Sequence, residues 1–125
     1  MGVVNNGKDL ILQRLGGITA TQLNSMGVGT DSTAFAVTQT KLNPTVAGSV
    51  LLQALDATFP TEATQSSTYQ STFATGSANF AINEIGLFNG TTNGTSTMFN
   101  RIVLGGTINK TSAISIVFVV TLAQA

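Results

Sequence analysis

From position 114 to position 122 every second residue is apolar, namely Ile114, Ile116, Phe118, Val120 and Leu122, and Val117 and Val119 make the alternate positions apolar as well. A period of two is strand geometry, because successive side chains leave a strand on opposite faces. A half-exposed strand keeps one face polar; this one demands cover on both. One face can line a domain core and the other a subunit contact or a packed loop, so Ile114, Ile116, Phe118 and Val120 are core or interface candidates.

The residues just upstream supply the rest of a sheet. Residues 80–88 and 97–104 read as two strands joined by the loop 89–95, which carries Asn89-Gly90 and Asn93-Gly94 as repeated turn signals. A second turn is expected over 107–111, and the terminal strand over 112–122. If the first two strands pair symmetrically about their loop, with Phe88 opposite Thr97, Glu84 falls opposite Arg101. Opposed charges on neighbouring strands contribute about 0.2–1 kcal/mol when exposed, and losing one partner of a buried pair strands the other charge. Glu84 and Arg101 are therefore read as a register-fixing structural pair. A catalytic carboxylate is the alternative, but no second titrating group lies nearby in sequence.

The N-terminal half is less regular. Asn5-Asn6-Gly7 ahead of residues 8–15, with Gly16-Gly17 behind, predicts capping residues, a short helix and a glycine stop. Two turns are unstable alone, so Leu10, Ile11 and Leu15 must anchor this piece on its own sandwich or on a neighbouring subunit. Residues 18–40 are rich in Thr, Ser and Gly and read as extended and turn-rich, with Phe35 and Val37 as possible anchors of an arm on a neighbour. Gly27-Val28-Gly29 resembles half of a phosphate-binding glycine loop, but the third glycine and the following apolar helix are absent, so no phosphate site is expected. Residues 46–59, bracketed by Pro44 and Pro60, have spacing that suits a helix as well as a strand; the Thr-rich surroundings favour a strand. A loop over 60–67 then leads to a strand-like stretch at 69–73.

Function is constrained by what is missing. The 125 residues contain no histidine, cysteine or tryptophan, and only five basic and five acidic side chains. General acid–base catalysis, thiol chemistry and most metal capture draw on those groups, so no enzyme activity and no cofactor is expected. Asp31, Asp56 and Glu62 do not follow calcium-loop spacing. Lys8, Lys41 and Lys110 stand in no Ser-x-x-Lys pattern. Five scattered cations cannot form the basic stripe that nucleic acid requires. The N-terminus shows no signal-peptide pattern, and the run 114–122 is far short of the ~20 residues of a spanning helix, so neither secretion nor a membrane partner is expected. Asn89-Gly90-Thr91, Asn93-Gly94-Thr95 and Asn109-Lys110-Thr111 match the glycosylation sequon but read better as turns. A 42% apolar chain of zero net charge has little repulsion to keep copies apart, which points to assembly.

The stretch Asn83-Glu84-Ile85-Gly86-Leu87-Phe88-Asn89, then Met98-Phe99-Asn100-Arg101, then Ile108-Asn109-Lys110-Thr111 before the alternating terminal strand, resembles small structural proteins of tailed bacteriophages. Met26-Gly27-Val28-Gly29-Thr30-Asp31-Ser32-Thr33 and Asn6-Gly7-Lys8-Asp9-Leu10-Ile11 fit the same organisation. The resemblance implies a β-sandwich or jelly-roll module that trimerises, either as capsid cement or as part of a tail fibre or baseplate. The expected fold is all-β, a jelly-roll-like antiparallel β-sandwich with a short N-terminal helix and an extended N-terminal segment. Residues 1–42 are expected to form the helix and extended arm, and residues 43–125 the sandwich. The expected function is that of a virion cement (decoration) protein, made in the bacterial host cytoplasm, acting as a homotrimer on the major capsid protein. A tail-fibre or baseplate module, with tail proteins as partners, is the first alternative, and a carbohydrate-binding lectin-like domain the second.

Overall fold

The computed structural model describes residues 2–43 and 47–124. Its elements are β1 (Gly2–Val3), α1 (Asn5–Leu15), β2 (Ser25–Gly29), β3 (Val50–Ala54), β4 (Thr61–Ala63), β5 (Ser66–Phe73), β6 (Ala81–Phe88), β7 (Met98–Asn109) and β8 (Ile116–Ala123). They form two antiparallel sheets, one ordered β1-β7-β6-β2-β3 and the other β4-β5-β8. The expectation of an all-β chain with one short helix holds at this level.

Apolar alternation decides which sheet faces meet. Met26 and Val28 of β2, Ile85 and Leu87 of β6, and Phe73 and Val120 of the smaller sheet share the main core, with Phe118 and Leu122 packed against it. The Phe73 and Phe118 rings meet edge to face at 5.9 Å. A second core lies on the opposite face of the five-stranded sheet, built from Val4, Leu42, Leu52, Phe88 and Met98. The larger sheet is thus covered on both faces, and all five residues of β2 are buried. Full burial of one such Leu or Phe contributes about 1.5–3 kcal/mol.

Residues before and after position 42 interleave in one sheet, since β1 pairs with β7 and β2 lies between β6 and β3. The segment 30–43, read from the sequence as part of an extended arm, folds back over the chain's own sheet. Its Leu42 enters the second core, and Asn93 clamps Leu42 by accepting its N–H at 3.0 Å and donating to its carbonyl at 2.7 Å. We refer to 30–43 as the strap. Residues 46–59 supply the strand β3; Pro44 and Val46, at the start of that stretch, lie outside the described residues.

Helix α1 begins at Asn5, three residues earlier than the pattern suggested. Neither asparagine caps it through its side chain. Instead the Asn5 N–H donates to the Val37 carbonyl of the strap at 2.8 Å, which satisfies one of the donors every helix start leaves open. Gly7 lies against the Phe99 carbonyl, where any Cβ would collide with backbone, so this glycine lets the helix approach β7.

Strand β7 is longer than expected. The stretch 107–109, read as a turn, continues the strand, which runs for 12 residues. Pairing with β6 is broken twice: near the loop, where Phe88 faces Met98 but Leu87 faces Asn100, and between Ile82 and Glu84. The first break inserts Phe99 as an extra residue that turns its ring into the main core. Asn100 Oδ1 compensates by accepting the Leu87 N–H at 2.9 Å.

Candidate functional site

The bulge at Phe99 fixes the geometry of the charged cluster. Arg101 stands opposite Gly86 and Glu84 opposite Val103, two residues away from the symmetric register. The two side chains still share a face of the sheet and meet diagonally, Arg101 Nε donating to Glu84 Oε2 at 2.6 Å. The ion pair is present, then, but its register is shifted by two residues: the hairpin closes with Phe88 opposite Met98 and not Thr97, which adds one, and the bulge at Phe99 adds the other, neither of which Asn-Gly turn signals count.

A third charge completes the cluster. Asp31, the first acidic residue after β2, places Oδ2 3.3 Å from Arg101 Nη2. Arg101 also donates to the carbonyls of Thr33 at 2.8 Å and Asp31 at 3.3 Å, and to Gln39 Oε1 at 3.4 Å. One guanidinium therefore holds two carboxylates and two strap carbonyls. Arg101 and Glu84 are fully buried. The arrangement fastens the strap to the sheet through charge-assisted hydrogen bonds, the strong kind.

Glycines make room for it. On β2, Gly29 faces Glu84, and a Cβ there would collide with Glu84 Oε1. At Gly27 a Cβ would sit 2.9 Å from Leu42 Cδ1, Leu52 Cδ1 and Phe88 Cε2. The Gly27-Val28-Gly29 pattern is thus a matter of packing in a central strand, with Val28 turned to the main core and the glycines to the strap side.

Burial pushes the Glu84 carboxyl up from its ordinary value, against the pull of the Arg101 hydrogen bond and charge, while Asp31 adds a further upward push. Glu84 Oε1 is buried and makes no hydrogen bond of good geometry, although the Asn43 backbone N–H lies close enough to add a small downward pull. For Asp31, burial also pulls upward, but the Thr33 hydroxyl and N–H, at 2.6 and 3.1 Å, and Arg101 outweigh it, so this carboxyl is held below its usual range. Asp56 is held down as well, chiefly by the Thr72 hydroxyl at 2.7 Å, then by the Gln70 amide at 3.0 Å and the Thr72 N–H at 3.0 Å. Lys110 is a fifth anchored charge: it is buried, and its Nζ donates to the Ala74 carbonyl at 2.7 Å and Asn79 Oδ1 at 2.9 Å. Among the described residues no three carboxylates gather to hold a metal ion, and no helix is long and apolar enough to cross a membrane.

The sequence singled out Glu84 and Arg101 but not Asp31, Asp56 or Lys110 as structural groups. A usable signal for Asp31 is present in Asp31-Ser32-Thr33, a turn former immediately after a buried strand, in a chain with so few charges that each must be held somewhere.

The apolar candidates divide. Phe118 and Val120 face the main core, with Ile116 on the same side of β8. Ile114 does not belong to the strand; it precedes it in the turn 111–114, which closes by its N–H donating to the Thr111 carbonyl at 3.1 Å, and its side chain is exposed. Of the apolar candidates in α1 only Leu10 is buried, whereas Ile11 is exposed and Leu15 is 80% exposed, so these two do not anchor the helix to its own chain. The reason is that α1 packs on β7 through one narrow stripe, with Gly7 and Leu10 at its centre. Phe35 lies over Gly2 and Val37 caps α1 through its carbonyl, both of them partly exposed and both engaged within the chain.

Ile11 and Leu15 line a groove of about 360 Å³ between α1 and the smaller sheet, together with Arg14, Pro60, Tyr69 and Leu122. A second, more open groove along Glu62, Ser66 and Gln124 shares Ile11, Leu15 and Leu122 with it. On the far side of β8, Val117 and Val119 are 51% and 55% exposed. The surface therefore offers apolar contact on α1 and on the far side of β8. Comparison of the chain with family models, with curated proteins and with solved structures returns no match.

Proposed function

We propose that this chain is a structural protein of a tailed-bacteriophage particle, a capsid cement protein that binds the shell of major capsid protein as a homotrimer. One observation carries the reading: a chain of zero net charge exposes Ile11, Leu12, Leu15, Ile18, Val117 and Val119 around a scaffold that buries Asp31, Glu84, Arg101 and Lys110 internally. Large exposed apolar side chains in such number mark contact surfaces. In this reading the two sheets are a jelly-roll-like sandwich, and the strap, fixed by Arg101, keeps the outer surface rigid.

The mechanism is mass action. A protein that binds the assembled shell and not its dissociated subunits lowers the free energy of the assembled state without any chemistry. Apolar burial and backbone hydrogen bonds dominate the contact, so release from particles is only weakly sensitive to salt; charge–charge contacts between exposed groups are screened beyond about 10 Å at 0.1 M salt. Quantitative mass spectrometry of purified particles tests the placement. Hundreds of copies per particle support cement, and a few or a few dozen transfer the protein to the tail. Steep salt-driven release contradicts the apolar mechanism.

A further inference from the structure

Strand β8 is an edge strand with an open hydrogen-bonding side. In the smaller sheet it pairs only with β5, Val119 opposite Gln70 and Val117 opposite Thr72. The ladder phase follows from two bonds outside it. Gln124 N–H donates to the Gln65 carbonyl at 2.8 Å, so 65/124 is a hydrogen-bonded pair; the Gln70 carbonyl accepts from Asp56 N–H at 2.9 Å and so points away from β8. Hydrogen-bonded and non-bonded pairs alternate along an antiparallel ladder. The backbone N–H and C=O groups of Val117, Val119, Thr121 and Ala123 therefore all point outward, and among the described residues no strand receives them. The side chains of the same four residues are exposed.

Natural edge strands are blunted by short length, charge, proline or a bulge. β1, β3 and β4 are short, at two, five and three residues, and the outer part of β7 carries Gly105-Gly106. β8 has none of these defences: its register with β5 is unbroken over eight residues, and from Thr111 to Gln124 there is no charged side chain and no proline.

We infer that β8 is the site of a two-fold contact in which a second copy of this chain adds its own β8 antiparallel, joining two three-stranded sheets into one of six. Charge argues for a second copy as the occupant. At a two-fold contact a surface meets itself, so any fixed charge on it would face its like; this strand carries none, and it offers no counter-charge to a charged foreign strand. Register argues the same way. With the axis at Val120, Val119 of one copy faces Thr121 of the other and Val117 faces Ala123, so all four outward-pointing residues of each copy fall in hydrogen-bonded pairs, two bonds per pair. No other centre on the strand uses every open group. The contact is about 27 Å long and one strand wide. It is smaller than the ~800 Å² per partner of a standard interface, so it forms in a concentration-dependent way.

This inference does not depend on the virion role, and a trimer built through another surface would use this edge to associate into six copies. The test is sedimentation of the purified chain over a wide concentration range, combined with hydrogen exchange resolved to single amides. Two copies, or six, are expected, with the Val117, Val119, Thr121 and Ala123 amides gaining protection as concentration rises. Val119→Pro removes an outward N–H that β5 does not use, and Thr121→Lys places like charges beside the axis from an exposed side chain. Each should weaken association by about tenfold or more while leaving the circular dichroism spectrum unchanged. If Val119→Pro does not fold, Thr121→Lys decides alone. Edge amides that exchange at one rate at all concentrations, or a mass of one or three copies that Thr121→Lys leaves unchanged, would overturn the inference; particle copy number reports on the virion role separately.

Discussion

Replacing Arg101 with methionine removes the guanidinium shared by Glu84 and Asp31 while keeping much of the side chain's bulk. Glu84 loses its partner at 2.6 Å and becomes a buried carboxylate without a cation. Breaking such a pair from one side costs about 3–5 kcal/mol, against a total stability of about 5–15 kcal/mol for a domain of this kind. With a urea slope of ~2 kcal/mol per M, a loss of ~4 kcal/mol moves the unfolding midpoint down by about 2 M at pH 7. The pH dependence has a definite sign. The Glu84 carboxyl is raised above its ordinary 4.5 even with Arg101 present, and removing the cation raises it further. A group more readily protonated in the folded state favours folding at low pH, and its penalty develops as pH rises through 4.5 toward the folded value. The deficit of Arg101→Met is therefore larger at pH 7 than at pH 4. Glu84→Gln is the matched control: it keeps an acceptor for Arg101 and removes one of two negative charges from one cation, so its cost stays within about 1 kcal/mol. Urea titrations of both variants at the two pH values, at one protein concentration, check the scheme. A midpoint for Arg101→Met no lower than that for Glu84→Gln, or a deficit equal at both pH values, would refute it.

Three further outcomes follow from the same geometry. Asp56, held below 3.8 by Thr72 and Gln70, stabilises the fold above that value and loses its contribution as pH falls through its folded pKa; Asp56→Asn should flatten the acid limb of melting temperature between about pH 5 and pH 2. Gly27→Ala places a methyl 2.9 Å from Leu42, Leu52 and Phe88 and should cost about 1–3 kcal/mol by chemical denaturation, whereas Gly105→Ala, with open space around it, should stay within about 0.5 kcal/mol. Ile11→Ser with Leu15→Ser should leave the melting temperature nearly unchanged while lowering occupancy on particles in a pull-down with purified shells; unchanged occupancy would remove α1 from the contact surface. Point substitutions are needed there because truncating the first twenty residues also deletes Val4 and Leu10 from the cores.

How far the sequence reaches is visible in particular residues. Phe118 and Val120 could be placed in a core, and residues 80–88 in a strand, because alternation of apolar side chains is a local consequence of backbone geometry. The same alternation could not place Ile114, which sits on the pattern but in a turn, nor Leu15, which has a helical stripe but nothing over it. A pattern states which side is apolar and not whether anything covers it. The charged cluster was half legible for a related reason: Glu84 and Arg101 lie on adjoining strands, and Asp31 reaches them only through the strap.

The amino-acid sequence by itself determined the β character, the short helix, the poverty of reactive groups and the presence of an apolar terminal strand, since each follows from residue type and spacing within a few positions. Tertiary structure alone decided the register, through the closure of the hairpin on Phe88 and Met98 and the extra residue at Phe99, and the return of the strap onto its own sheet. It also decided that one arginine serves two carboxylates and that the outer edge of β8 is left open. These depend on which surfaces meet across long separations in the chain, where packing volume and the need to pair buried charges override local preference.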